Sequence, residues 1–306
     1  MKRFLLELLL FSAVLLVLDK GLILVRTYSP APDMEVDRRL EWVLTNQLQA
    51  DMLVFGSSRG ARSVIAHMLS DSLGVRAYNL SYPGSDITFH TFLLDQAVAH
   101  LQPRPHTVLL VVDEPTELLR DDYINFRSDR LYPLIKYAPV RDALVKQGEK
   151  NGLLNVLLVS SQLTRSYLFP RQVAFNTMDT ILPCGSMPVS FQDSGWNRQY
   201  DYYVHPYRVD DEIPEKRDHF QRFIHTCQAN GLDLVLVFPP NFKVLSDGFE
   251  PRIRAFAGAE VDCMHYDTTL AAYHDPDNFH DVGHVNTAGA RVFTQELIQY
   301  LKKRGK

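Results

Sequence analysis

Two short stretches far apart in the chain carry residues whose types and spacing can do chemistry. In the first, Val54-Phe55-Gly56-Ser57-Ser58-Arg59-Gly60, a pair of serines follows a short apolar run and is flanked by glycines. A serine lifted on a strand–turn–helix stands at the carboxyl end of a sheet, where backbone N–H groups and a helix N-terminus favour negative charge. A serine nucleophile needs this, because its oxyanion intermediate must meet donors already in place. The same residues also suit a plain helix cap, with Ser57 or Ser58 accepting from the first turn. In the second stretch, Asp281-Val282-Gly283-His284, an acid and a histidine lie three residues apart. An acid at that spacing can hold the histidine Nδ1–H and leave Nε2 to take a proton from a serine.

A metal site is the competing reading of the second stretch. His265, His274, Asp275, Asp277, His280, Asp281 and His284 form a crowd of potential ligands, and His280 and His284 have the i,i+4 spacing of zinc-binding helices. Gly283 between those histidines and the lack of an H-E-x-x-H pattern weigh against it, so neither a metal nor a cofactor is expected. In a third reading, Asp281 and Asn286 only cap the helix that follows.

The serine and the histidine can meet only if a sheet brings them together. Apolar runs predict strands at 52–55, 75–80, 106–113, 232–238 and 261–266. Helical periodicity predicts helices at 34–49, 61–72, 87–101, 212–230, 251–257 and 287–303. Strands alternating with helices imply an α/β fold, a three-layer α/β/α sandwich around a central parallel sheet of flavodoxin-like type, with ligand beyond the strand carboxyl ends. Ser58, Gly84 and Asp113 all fall at or just past such ends. Between about 119 and 210 the sequence turns rich in Tyr, Arg, Asp and Pro and includes Trp196, Tyr200, Tyr202, Tyr203, His205 and Tyr207. This reads as an insertion capping the sheet, with two helices over 131–168 around Asn151-Gly152 and either an aromatic surface suited to a sugar or a surface excursion with no ligand.

The chain has 306 residues with a formal net charge of −4, enough for a sizeable core in a domain covering 51–306. Mild acidity without a basic block argues against nucleic acid as partner. Cys184, Cys227 and Cys263 lack C-x-x-C spacing, so no disulfide framework or structural zinc site is expected. Lys2 and Arg3 precede an apolar stretch running to Val25, interrupted by Glu7, Asp19 and Lys20. Residues 1–26 are therefore expected to be an uncleaved signal-anchor crossing a membrane, with residues 27–50 as linker and first helix and the remainder extracytoplasmic. The alternative is an amphipathic helix packed on the domain.

The G-S-S-R turn after the first strand, the glycine turn Tyr82-Pro83-Gly84-Ser85 and the D-x-x-H before the last helix resemble the SGNH hydrolase (GDSL-like) superfamily. The resemblance covers most of 51–306 outside the insertion. With the N-terminal anchor it is most similar to the branch that transfers acyl groups onto extracytoplasmic polymers. It implies Ser58 as nucleophile, His284 as general base and Asp281 as its orienting acid, with the N–H groups of Ser58 and Gly84 forming the oxyanion hole. The pattern fails after the third strand, where the family's hydrolases carry Gly-x-Asn-Asp and this chain has Val112-Asp113-Glu114-Pro115. Arg59, Asn79 or Asn241 is then expected to supply the missing donor, with Asp113 in a supporting place. The implied function is a membrane-anchored serine esterase or acyltransferase acting on O-acyl, most plausibly O-acetyl, groups of an envelope or exported polysaccharide. A multi-spanning acyl-exporting protein is the implied partner. The alternative is a non-catalytic scaffold that kept the fold and lost the oxyanion hole.

Overall fold

The computed structural model describes residues 2–28, 37–149, 158, 160, 180–196, 198–199, 205–242 and 246–304, with backbone alone at 23–28, 133, 205 and 246. In chain order the elements are α1 (Lys2–Tyr28), α2 (Arg39–Leu44), β1 (Met52–Phe55), α3 (Ser58–Ser63), α4 (Ala66–Leu73), β2 (Ala77–Asn79), α5 (Ile87–His100) and β3 (Thr107–Val111). Then come α6 (Ser128–Leu131), α7 (Ala138–Lys146), β4 (His205–Pro206), α8 (Pro214–Ala229), β5 (Asp233–Phe238) and β6 (Ser246–Asp247). The chain closes with α9 (Phe249–Ala257), β7 (Asp262–His265), β8 (Phe279–Asp281), β9 (His284–Val285) and α10 (Thr287–Arg304).

Five strands form one parallel sheet in the order β2-β1-β3-β5-β7. Both faces are covered, so the three central strands β1, β3 and β5 read as largely continuous apolar runs rather than alternating ones. Met52, Val54, Leu109, Val111, Val235 and Val237 pack with Leu69 of α4 and Phe293, Leu297 and Ile298 of α10. Neighbouring residues point the other way, where Phe55 meets Phe223 of α8 edge to face at 5.6 Å. Helices α3, α4 and α10 pack together on one side, and α2, α5 and α8 on the other. The predicted parallel α/β architecture is thus present. The strand order reverses at β1, whose neighbours β2 and β3 lie on opposite sides, and the crevice beyond the carboxyl ends of β1 and β3 is where such sheets bind ligand.

The expected helix over 61–72 is two helices. The β-branched pair Val64 and Ile65 is extended between α3 and α4. Its backbone is taken up by side chains: Ile65 N–H donates to Thr294 Oγ1 at 3.0 Å, and the Val64 carbonyl accepts from Ser186 Oγ at 2.8 Å and Asn79 Nδ2 at 2.9 Å. Of the expected helix over 34–49, the described residues 37–49 hold only α2, and Asn46 turns left-handed (φ 55°) two residues past its end. Of the two helices expected over 131–168 around Asn151-Gly152, the first is present as α7, with Gly148 in the left-handed region two residues after it, and the second falls almost wholly outside the described residues. Asn151, Gly152, Tyr200, Tyr202 and Tyr203 lie outside the described residues, as does 29–36 of the expected linker.

The chain divides into two compact units, Met1–Arg38 with Ser128–Ala174, and Arg39–Arg127 with Phe175–Lys306. In the first, the large apolar side chains of α1 from Phe4 to Leu18 are about half exposed or more. Among the described residues no helix is long and apolar enough to cross a membrane. The spanning anchor expected over 4–25 is therefore not what the described residues show. Glu7, Asp19 and Lys20 interrupt the run, and side chains 23–25 lie outside the described residues. Asp19 is 8 % exposed, and its carboxylate accepts the Ser160 N–H at 2.8 Å.

Candidate active site

Strand β1 ends at Phe55, and the chain enters α3 within three residues because two glycines let other segments come close. A Cβ on Gly56 would stand 3.0 Å from Val111 Cβ and 3.1 Å from the Val111 carbonyl oxygen, and one on Gly60 would meet Ser81 Oγ at 2.6 Å. Ser57 is the N-cap, its hydroxyl accepting the Arg59 N–H at 3.2 Å. Ser58 is the first residue of α3 and is partly exposed.

The second stretch forms a hairpin. Asp281 of β8 faces His284 of β9 across the two-residue loop Val282-Gly283. The Asp281 carboxylate accepts the Gly283 N–H at 2.8 Å, which pins the acid to its own loop. The hairpin is tied down from outside: Phe242 N–H donates to the Val282 carbonyl at 3.0 Å, and Asp193 N–H to the His280 carbonyl at 2.9 Å. Asn286 caps α10 through Ala288 N–H (2.9 Å) and Gly289 N–H (3.2 Å).

These two turns bring Ser58, His284 and Asp281 into one line. Ser58 Oγ lies 2.7 Å from His284 Nε2, and His284 Nδ1 lies 2.8 and 2.9 Å from the two Asp281 carboxylate oxygens. Because an ionised Asp281 only accepts, Nδ1 carries the proton and Nε2 presents a lone pair to the serine. Burial pushes the Asp281 carboxyl up. The His284 bond and charge, the Gly283 N–H and His280 outweigh that and hold it down to about 2. Burial, with Arg62 and Arg59 nearby, lowers His284 against the opposing pull of Asp281. The imidazole is therefore neutral at neutral pH, as a general base must be.

No family model matches this chain, and no curated protein does.

The metal reading loses its geometry. His280 and His284 sit on opposite strands of the hairpin rather than on one helix turn, and His280 Nδ1 is 2.9 Å from the Phe191 carbonyl oxygen. Among the described residues no group of three or more His, Cys, Asp or Glu side chains stands ready to hold a metal ion.

The oxyanion side departs further from expectation. Tyr82-Pro83-Gly84-Ser85 has the form of a type II turn, with Gly84 at φ 74° and Ser85 N–H donating to the Tyr82 carbonyl at 3.0 Å. The Pro83 carbonyl accepts from the Arg127 guanidinium, so the Gly84 N–H points to the opposite side of that planar peptide. Tyr82 N–H donates to the Gly56 carbonyl at 2.9 Å, binding this turn to the serine turn. Asn79, expected as a donor, is fully buried and spends its amide on the Gly60 (3.0 Å) and Val64 (2.9 Å) carbonyls. Arg59 gives Nη2 to the Pro239 carbonyl at 2.7 Å and Nη1 to that of Glu114 at 3.4 Å, leaving Nε–H buried without a partner. Asn241 is 4 % exposed, next to the Phe242 that ties its loop to the hairpin.

Asp113 is 2 % exposed. The β1–β3 register pairs Phe55 with Leu110, so Asp113 and Ser58 each lie three residues past a paired position. Asp113 takes a hydrogen bond from the Ser57 hydroxyl, and its pKa is raised by burial against the pull of Arg59. The sequence reasoning missed Glu117, four residues on. Its Oε2 accepts the Asp113 N–H at 2.7 Å, and burial beside Asp113 pushes it up to about 8. The i,i+4 acid spacing was the available signal. Lys216, also missed, is 5 % exposed and donates to the Leu119 carbonyl at 2.7 Å.

Proposed function

We propose that this protein is a serine-dependent acyl-transferring enzyme of SGNH type, an esterase or O-acyltransferase acting on O-acyl, most plausibly O-acetyl, groups of a carbohydrate. The single observation that carries the reading is the continuous Ser58–His284–Asp281 hydrogen-bonded line at 2.7 and 2.8 Å. In the first step Ser58 Oγ attacks the acyl carbon while its proton passes to His284 Nε2, and the carbonyl π electrons move onto oxygen. Collapse of that oxyanion expels the donor alkoxide, which takes the proton from His284 and leaves an acyl-Ser58 ester. A sugar hydroxyl or water, deprotonated by His284, then attacks the ester and frees Ser58 through a second oxyanion. Asp281 holds the imidazole in the required tautomer throughout. The amides of Ser58 and Gly84 are the proposed oxyanion donors.

The exposed apolar side chains of α1 support a further part of the proposal, that this helix holds the protein at a membrane, with the enzyme domain extracytoplasmic. An acyl-exporting membrane protein as donor partner belongs to the same proposal. The test is p-nitrophenyl acetate cleavage by the full chain beside Ser58→Ala. Turnover lost in the variant supports the reading, and equal turnover in both overturns it. A second reading, a non-catalytic scaffold, draws on one observation: Asn79 and the terminal nitrogens of Arg59, two of the replacements expected for the missing asparagine, are spent on backbone carbonyls.

A further inference from the structure

A second serine–histidine contact lies beneath the site, wholly out of solvent. His90, on the first turn of α5, and Ser85, at the end of the Gly84 turn, are both 0 % exposed. Ser85 Oγ is 2.8 Å from His90 Nε2, 2.6 Å from the Tyr82 carbonyl oxygen and 3.3 Å from the Gly56 carbonyl oxygen. A hydroxyl has one proton to give, and the two carbonyls can only accept, so Ser85 gives its proton to a carbonyl and accepts from the imidazole. His90 is therefore the Nε2–H tautomer, and one observation agrees: its Nδ1 is buried with no partner among the described residues, as suits a bare lone pair better than an N–H. Burial, together with Lys216, drives the imidazole down to about 3, so it stays neutral and cannot serve as a charge switch near neutral pH.

The contact joins two turns. Gly56 lies two residues before Ser58, and Ser85 directly follows Gly84, so Ser85 Oγ, held by His90 and 3.3 Å from the Gly56 carbonyl oxygen, joins the Tyr82 N–H in tying together the segments that carry both amides assigned to the oxyanion. We propose that His90, acting through Ser85, is a positioning residue that fixes the Gly56–Ser58 turn against the Gly84 turn. The inference rests on the serine acyl reading for its consequence in rate, whereas its structural part stands apart from that reading.

The experiment compares full-length wild type, His90→Leu, His90→Gln, Ser85→Ala and the His90→Leu/Ser85→Ala double variant. The measurements are kcat and KM for p-nitrophenyl acetate, and amide hydrogen exchange in peptides covering 56–60 and 82–86. His90→Leu is expected to lower kcat about 10- to 100-fold, the cost of a small misplacement of reacting groups, with KM within about twofold, and to speed exchange in both peptides. Glutamine sets its amide nitrogen where Nε2 stood, so His90→Gln is expected to recover most of both losses. Ser85→Ala should resemble His90→Leu, and the double variant should be no worse than either, because they act as one unit. Wild-type kcat and exchange in His90→Leu, or losses that add in the double variant, would overturn the proposal. Should His90→Leu fail to fold, a His90→Gln enzyme no better than Ser85→Ala would overturn it as well. If wild type turns over no ester, the acyl reading falls, and the exchange pattern alone decides whether His90 sets the two turns.

Discussion

The acid–base side of the site and its oxyanion side are built on opposite plans. Asp281 and His284 stand on a two-residue hairpin near solvent, and each polar atom in the line from Asp281 to Ser58 has a partner at 2.7–2.9 Å. The proposed oxyanion side is assembled from turns packed under the sheet ends, where several buried polar atoms lack a partner among the described residues. Asp113 Oδ1, Glu117 Oε1, Arg59 Nε and His90 Nδ1 all lack one. On the first side a local sequence pattern sets the geometry. On the second, the geometry depends on segments from β1, β2, β3 and α5 meeting at the switch point of the sheet, and the buried acids Asp113 and Glu117 stand near where the resemblance would place an amide.

The comparison can be broken most sharply at its well-formed side. Asp281→Asn keeps the hairpin, since an amide oxygen still accepts the Gly283 N–H, but it no longer demands Nδ1–H from His284. The account expects kcat to fall by about 10⁴-fold, the size of the effect when the orienting acid of a serine triad is neutralised. A loss under tenfold in steady-state assays would show that Asp281 does not set the tautomer. The pH profile probes the same side. His284 must be neutral to act, and its pKa is pushed below 6.5 by burial, so kcat/KM should be flat through neutrality. It should fall about tenfold per unit only below a midpoint under 6.5. A midpoint above 7 would contradict the burial argument.

Two smaller effects sharpen the oxyanion side. Gly84 sits at φ 74°, and an added Cβ would stand 2.9 Å from Arg127 Nη1 and 3.2 Å from the Tyr123 carbonyl oxygen. Gly84→Ala should cost about 1–2 kcal/mol of stability from the left-handed backbone alone, read by urea denaturation, together with a drop in kcat. Glu117 acts on stability alone, with no change expected in kcat. Its folded pKa of about 8 lies above the unfolded 4.5, so the folded state binds the extra proton and stability falls as pH rises from 4.5 to 8. Glu117→Gln should remove that part of the slope in melts taken between pH 5 and 9. An unchanged slope would place its titration elsewhere.

The acid–base side was legible in the sequence because its information is local. Asp281, Gly283, His284 and Asn286 lie within six residues, and a side chain that caps or orients a near neighbour leaves a spacing that can be read. The parallel sheet was legible for a similar reason, since strands buried on both faces show as unbroken apolar runs at 52–55, 108–112 and 234–238. The break of α3 from α4 was not, because the groups that satisfy the extended Val64 and Ile65 come from Asn79, Ser186 and Thr294. The commitments of Asn79 and Arg59 were hidden likewise, being made to carbonyls 15 to 180 residues away only once the chain is folded. His90 gave no signal beyond a lone histidine among apolar neighbours, a pattern shared by any satisfied core histidine.

The central claim is that Ser58 is a nucleophile activated by His284. The most direct measurement is the rate of adduct formation with a fluorophosphonate, followed by peptide mass mapping, in wild type and His284→Ala. The account predicts a single adduct on Ser58 in wild type and labelling slowed by at least about a hundredfold in the variant, the lower range for loss of a general base. A wild-type protein that stays unlabelled while folded, or one labelled equally fast without His284, would contradict it.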